Sequence, residues 1–536
     1  MKNAKNTSLA ESLILSNFLK INMIYTKILK KNIVILLLIF LISQIINLYV
    51  FRTSKGISHI STFTILLITF VLIISNGSIK KAIGIFFLFF INLKIIYSLC
   101  FNGNITVSAI KSIFETNIKE VSLMFNGLFF KLTFPSLILT ISVFFLVSKI
   151  RKNLNINPLF LNVTLISICL TFISVFINIK NEPRLIPNIK EDNKELGIFL
   201  KNRVPLVVGD IIFIMTNWSG SKKYLNISKI EKLNNSIIKK INSNNKNIIL
   251  IMGEASLSLR YSVYGYHLNT TPHMAKIFST EDACILNNVH SSAPITRDSV
   301  SMTLAFHVPE SEDNLFINKS IVEMAKENGY KTYWIGAQEI KGLFASKYGF
   351  IAKKSDYIKL THYDDNKLTT LLSEVLSDGK EKRFIVIHLN GNHLPYNNYD
   401  EIDKNLLPNA EKYDLTIHHV DRVVNDIFNV IDKQKIDYNL IYTADHGEIV
   451  NVGHGLEKGI EQYIIPFMYR STNPDNDCKF IESFRNKNGY LSGLMNKYIL
   501  SELLGYKIDK NVLTKEREYD RVLTANEEVV TFYDIK

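Results

Sequence analysis

Cysteine is scarce in this chain: four in 536 residues, at positions 100, 169, 284 and 478. Cys100 and Cys169 fall inside apolar runs, and the other two are far apart, so no disulfide framework organises the fold. Whether Cys284 and Cys478 pair in an exported domain is left open by the sequence. Also missing is any basic stripe or series of aromatics spaced for base stacking. The net charge is +13, yet Lys and Arg are scattered, many of them in short loops between apolar segments. That distribution speaks for membrane topology and against binding RNA or DNA. The length excludes a single ordinary domain. A cleaved leader is not expected either, because the first apolar run is too long and starts too late; it reads as an uncleaved anchor.

Five apolar runs are present, at 33–51 and roughly 57–75, 82–101, 128–148 and 159–179, each long enough to cross a bilayer. Lys94 interrupts the third and Pro135 lies in the fourth. Positive charge clusters at Lys30-Lys31, at Lys80-Lys81 and at Lys149, Arg151 and Lys152. The positive-inside rule then places the N-terminus in the cytoplasm and everything after about residue 180 on the other side. The expected division is a membrane domain over 1–180, bridging helices and linker over 181–246, and a catalytic domain over 247–536. Pro183 and Pro187 stop the last span, and exposed connecting helices are expected after it. The loop at about 102–127 carries Ile110, Ile113, Phe114, Ile118 and Val121 at helical spacing. It reads as an amphipathic helix on the membrane surface, or as a lid or headgroup contact beside the catalytic domain.

From residue 247 short apolar strands alternate with helices. Strands are expected at 247–252, 384–389 and 440–444, and helices at 320–328, 367–377 and 411–432. This alternation predicts an α/β domain with a mostly parallel sheet covered on both faces. Ligands in such folds bind at the carboxyl ends of the strands. Four groups of chemistry-bearing residues fall there. Glu254 follows the first strand, and Asp445 and His446 follow the last, where Gly447 breaks it. An imidazole with two carboxylates suits a divalent metal with one position open for a reacting group. The hydroxyl-rich stretch Ser291-Ser292-Ala293-Pro294-Ile295-Thr296-Arg297-Asp298-Ser299 precedes an apolar helix. One of its hydroxyls can serve as a cap, or as a metal-bound nucleophile at a helix N-terminus that also attracts phosphate. His388 and His393, and His454 between two glycines, can protonate a leaving oxygen, hold phosphate or bind a second metal. His418 and His419 lie on a predicted helix and read as surface residues.

With these residues in view, Gly253-Glu254-Ala255-Ser256, Arg260, Tyr264-Gly265-Tyr266, Thr270-Thr271-Pro272, the Thr296 loop, Asn390-Gly391-Asn392-His393, the helix from Tyr413 through Asp421, and Asp445-His446-Gly447-Glu448 resemble the lipopolysaccharide phosphoethanolamine transferases. The five spans and the Thr116-Asn117 to Glu120 loop match as well. The resemblance implies a five-helix transmembrane bundle joined to a sulfatase or alkaline-phosphatase-like α/β domain, set in a bacterial inner membrane with the catalytic domain in the periplasm. It implies Thr296 as the nucleophile that becomes phosphoethanolaminylated. Zn2+ is then held by Glu254, Thr296, Asp445 and His446. His393 and His454 handle the phosphoryl group, and Asn117 and Glu120 lie near the lipid headgroup. The implied donor is phosphatidylethanolamine, the acceptor is lipopolysaccharide, and a monomer is expected. Members that modify lipid A carry a cysteine on each side of the nucleophile loop, where this chain has Ser292 and Met302, so it resembles the core-modifying branch more closely. Two rival readings share the fold: a phosphoglycerol transferase of the lipoteichoic acid synthase type, and a membrane-anchored sulfatase using Ser292, since Ser292-Ala293-Pro294 followed by Arg297 is similar to the sulfatase signature. A catalytically dead receptor or scaffold is the alternative from another class.

Overall fold

The computed structural model describes residues 30–52, 56–115, 129–151, 158–181, 194–204, 206–220, 232–241, 243–340 and 347–535, with a few single positions besides. Asn117 and Glu120 lie outside the described residues. The chain forms two compact units, one of Met1–Asn104 with Phe125–Gly220, the other of Ile105–Met124 with Ser221–Lys536.

Among the described residues, five helices are long and apolar enough to cross a bilayer: α1 (Lys30–Val50), α2 (Ile57–Ile74), α3 (Ser78–Cys100) and, after a short helix α4 (Val107–Glu115), α5 (Phe129–Lys149) and α6 (Leu159–Lys180). Their exposed Leu, Ile and Phe side chains, among them Leu37, Phe145 and Phe172, are what a lipid solvent requires. The same unit holds α7 (Lys194–Arg203) and α8 (Val207–Gly220). These helices are not the exposed connectors that the composition suggests. Val204 and Leu206 are buried with Ile46, Phe51, Ile65 and Ile91. The charge inside α3 has its explanation here as well. Lys94 Nζ lies 2.6 Å from the Asp210 carboxylate of α8 and 2.7 Å from the Leu206 carbonyl. An ammonium within an apolar span is tolerable when it is paired in this way.

The second unit is built on seven strands in the order β3-β9-β8-β2-β7-β5-β6. A short strand β1 (Ile237–Lys240) lies outside that sheet. The sheet strands are β2 (Asn247–Gly253), β3 (Ala283–Ile285), β5 (Lys331–Gly336), β6 (Tyr357–Leu360), β7 (Arg383–His388), β8 (Tyr438–Ala444) and β9 (Phe467–Ser471); β4 (Val289–His290) pairs elsewhere. Strands β6, β5, β7, β2 and β8 run parallel; at one edge β9 pairs antiparallel with β8, and β3 antiparallel with β9. Every residue of β2, β7 and β8 is buried, as expected of parallel strands covered on both faces. Alternation divides them: Ile248, Leu250 and Met252 face one core, Ile249 and Ile251 the other. The second core is closed by α9 (Pro272–Phe278), by α12 (Leu368–Leu376) and by one long helix, α14 (Lys412–Lys433). The first is closed by α10 (Thr296–Leu304) and α11 (Ile321–Glu327), the latter started by a capping box between Ser320 and Glu323.

Helix α14 earns its place by a stripe of Tyr413, Ile417, Val420, Val424, Ile427 and Ile431. His418 and His419 on this helix are buried, contrary to the surface placement read from sequence. Their Nδ1 atoms lie 2.6 and 3.0 Å from the two oxygens of Asp403, on α13 (Glu401–Leu406). Arg422 Nη1 approaches the same carboxylate at 3.0 Å. The sequence hides this because the shared acceptor belongs to a different helix.

The segment that begins α4 folds with the α/β unit. Thr106 Oγ1 donates to the Gly455 carbonyl at 2.5 Å, and Ser108 N donates to the Ala525 carbonyl at 2.9 Å. Lys111 forms an ion pair with Glu527.

Candidate active site

Strand register assembles the site. Gly253, the last residue of β2, is paired with Ala444, the last of β8. Glu254 and Asp445 therefore leave the sheet side by side. The turn after β2 is tight: Ala255 has φ 50°, its amide donates to Asp445 Oδ1 at 3.1 Å, and Tyr413 OH donates to its carbonyl at 2.7 Å. Gly391, at φ 56°, passes close by; a Cβ there would meet the Glu254 carbonyl at 2.8 Å. Only glycine allows the loop after β7 to lie against the turn after β2.

Thr296 is the first residue of α10, and the cap position is Ile295, which has no capping side chain. The threonine hydroxyl is thus free of the capping role. Its Oγ1 lies 3.2 and 3.1 Å from the two Glu254 oxygens and 3.2 Å from His446 Nε2. His446 Nε2 lies 3.3 Å from Glu254 Oε1 and 3.3 Å from Asp445 Oδ2. Glu254, Asp445 and His446 are fully buried, whereas Thr296 is half-buried and reachable. Asp298, in the first turn, is used otherwise: Lys347 Nζ holds it at 2.6 Å.

Electrostatics bear on whether a cation fits this cluster. Burial and the adjacent Glu254 push the Asp445 carboxyl up to about 8. Burial lowers the His446 imidazole, but Asp445 and Glu254 outweigh it and carry it up to about 10. The Asp445 Oδ2 atom is buried without a hydrogen bond. Two buried carboxylates converging on one imidazole nitrogen and one hydroxyl call for a cation. Two acidic groups, one imidazole and one hydroxyl fit a divalent metal, so the donor set passes the test of fit.

A second set of groups rims the cluster. The His454 ring lies 4.1 Å from the His446 ring and 5.6 Å from the His393 ring, centroid to centroid. Donor atoms of Glu254, His446 and His454 all lie within 4.8 Å of one another. His454 Nδ1 is 2.7 Å from the buried Glu448 carboxylate, which also accepts from Tyr396 OH at 2.8 Å. Burial and His446 hold His454 below its ordinary value. The neutral ring then donates from Nδ1 and turns Nε2 away from Glu448. His393 is oriented by its Nδ1 contact of 2.7 Å with the Leu394 carbonyl.

Other residues singled out in the sequence are placed elsewhere. His388 is buried 4.0 Å from Glu254 Oε2 with neither ring nitrogen hydrogen-bonded, and burial lowers it to about 4. Ser292 Oγ is buried without a partner. Arg260, Tyr266 and Asp414 form a brace, with Arg260 Nη1 2.6 Å from Tyr266 OH and 3.2 Å from Asp414. Asp421 accepts the amides of His273 and Met274 at 2.9 and 2.7 Å, fixing the start of α9. Two residues in contact with the site carry no role in the sequence reading. Glu448 positions His454. Gln338, two residues past β5, donates through Nε2 to Glu254 Oε2 and to the Leu389 carbonyl. The strand-end rule finds Gln338 once β5 is recognised as a sheet strand.

Fold and donor set define the class: an α/β sulfatase-like domain with a cluster of candidate metal ligands at its strand ends. The sulfatase family model matches residues 246–490. Curated relatives of the chain include phosphoethanolamine transferases. EptC of Escherichia coli K12 is 28% identical over 260 residues, which are 40% of this chain and 44% of that one. CptA of Salmonella typhimurium is 30% identical over 161 residues, 28% of each chain. EptA of Helicobacter pylori is 26% identical over 262 residues, 42% of this chain and 48% of the relative. The chain thus spans less than half the length of these relatives. Among solved structures, the integral membrane lipooligosaccharide phosphoethanolamine transferase A from Neisseria meningitidis shares the fold over 87% of this chain and 91% of its own, with TM-score 0.54 and 16% identity.

Proposed function

We propose that this protein transfers phosphoethanolamine from phosphatidylethanolamine to lipopolysaccharide, by way of a phosphoethanolaminyl-Thr296 intermediate. The observation that carries the reading is the half-buried Thr296 hydroxyl at a helix N-terminus, in contact with Glu254 and His446. Glu254, Thr296, Asp445 and His446 would hold the metal, and we take it to be zinc from the mix of oxygen and nitrogen donors. When bound, such an ion favours the ionised form of the threonine hydroxyl and neutralises charge on phosphate oxygens.

Thr296 Oγ1 attacks the donor phosphorus, and the bond from phosphorus to the diacylglycerol oxygen breaks. His393 supplies the proton to that leaving oxygen, or His454 does so once its Nε2 has taken up the proton that Thr296 gives up. The amides at the start of α10 hold the phosphate. An acceptor hydroxyl or phosphate then displaces Thr296 from the same phosphorus. Splitting one displacement into two lets the enzyme release the lipid before it engages the acceptor. The five apolar helices support a membrane-anchored protein; in this reading the membrane is the inner one, and the catalytic unit works as a monomer on its periplasmic side. That anchoring raises the local concentration of a lipid donor.

Purified protein offered labelled phosphatidylethanolamine and phosphatidylglycerol in separate vesicles tests the donor. Diacylglycerol is expected from the first only; release from the second alone would give the phosphoglycerol transferase reading. Mass analysis of lipopolysaccharide from cells with and without the chain is expected to show added phosphoethanolamine. Formylglycine at Ser292 would instead establish a sulfatase.

A further inference from the structure

The cysteines of the α/β unit meet where the edge strand β3 passes the start of a short helix, α15 (Cys478–Glu482). Strand alternation turns Ala283 and Ile285 towards one core and Cys284 towards the other. Ile481 of α15 and the following Phe484 are buried in the core that Cys284 faces, the one closed by α10 and α11, so Cys284 and α15 share one face of the sheet. The Cys478 thiol reaches the Ala283 carbonyl at 3.1 Å, one residue from Cys284. Both cysteines are partly exposed and within reach of a small reagent. Burial and the neighbouring Cys478 thiol raise Cys284 above the ordinary range.

We propose that Cys284 and Cys478 form a redox-reversible disulfide that fastens β3 to α15. The link joins residues 194 positions apart, and Cys284 lies twelve residues upstream of Thr296. It would therefore anchor the chain that enters the nucleophile loop. A disulfide-containing oxidant, either a low-molecular-weight disulfide or a thiol–disulfide oxidoreductase, accepts the two electrons. Cys478 thiolate attacks one sulfur of the oxidant and releases one thiol. Cys284 then gives up its proton as it attacks the Cys478 sulfur and releases the second, so that the two protons of the protein thiols end on the two released thiols. A compartment outside the cytoplasm sustains such a bond.

The test uses the full chain in detergent, treated with oxidised glutathione or with dithiothreitol, then labelled with a maleimide after denaturation. Oxidation is expected to remove two of the four reactive thiols and to join the peptides of Cys284 and Cys478 by mass spectrometry. The Cys478→Ser variant is expected to keep its Cys284 unlinked to any other peptide. The oxidised protein should melt roughly 5 °C above the reduced one. Glutathione attached separately to each cysteine, with no joined peptide, would overturn the proposal. So would two thiols that stay reactive throughout. The chemistry is read in vitro and stands apart from the transferase reading. Recovery of the joined peptide from cells reports the compartment, and its absence there with formation in vitro would overturn the cellular half of the proposal.

Discussion

At the scale of single residues, the proposed site divides into groups that would hold a cation and groups that aim them. Glu254, Asp445 and His446 follow apolar strands, and the sequence shows them because their chemistry is conspicuous at strand ends. Gln338 and Glu448 act through a neighbour; the sequence shows Glu448 only as the end of the Asp445-His446-Gly447-Glu448 motif, and Gln338 only once β5 is recognised as a sheet strand. Gln338 donates to the Glu254 carboxylate. Gln338→Ala is expected to weaken metal binding about 10- to 100-fold, as removal of a ligand's hydrogen-bond partner typically does. Competition with a chromophoric chelator measures it. Glu448→Gln leaves the metal ligands in place but takes the carboxylate from His454. It is expected to lower kcat about 10- to 100-fold with metal content unchanged. Loss of metal in that variant would show that His454 serves as a ligand instead.

At the scale of elements, the sheet was legible because fully buried parallel strands announce themselves as unbroken apolar runs. The expected strands at 247–252, 384–389 and 440–444 correspond to β2, β7 and β8 within one or two residues. Helix α14 was legible from its stripe, but its histidines were not. Burial of His418 and His419 depends on Asp403, and an acceptor on a neighbouring helix leaves no trace in periodicity. Asp403→Ala leaves two buried imidazoles without their shared acceptor and takes from Arg422 one of its two carboxylates, Asp400 remaining. It should destabilise the α/β unit by about 3–5 kcal/mol, the usual cost of breaking a buried charged network. Chemical denaturation of the full chain in detergent checks the figure; a change below about 1 kcal/mol would mean that water reaches the site.

For the whole molecule, the division into units is where the sequence was least informative. Hydropathy separates apolar helices from the rest, but it cannot show that Thr106, Ser108 and Lys111 fold with the α/β unit. Those contacts are long-range, with Gly455, Ala525 and Glu527 as partners. Global stability also carries a pH signature. Lys497 is buried, donates to the His307 carbonyl at 2.9 Å, and is lowered by burial to about 7. Its folded value lies below the unfolded one, so between about pH 7 and 10 the unfolded chain binds the extra proton and stability rises with pH. Lys497→Met should therefore stabilise the protein at pH 7, by about 1–3 kcal/mol, and the gain should shrink towards pH 10. Denaturation midpoints across that range read it directly.

The central claim is that Thr296 accepts the phosphoryl group at the Glu254–Asp445–His446 cluster. Peptide mass spectrometry after incubation with phosphatidylethanolamine and rapid acid quench tests it most directly. A phosphoethanolamine mass on Thr296, absent from Thr296→Ala, is the predicted result; turnover that continues in Thr296→Ala, or an adduct on Ser292, would contradict it.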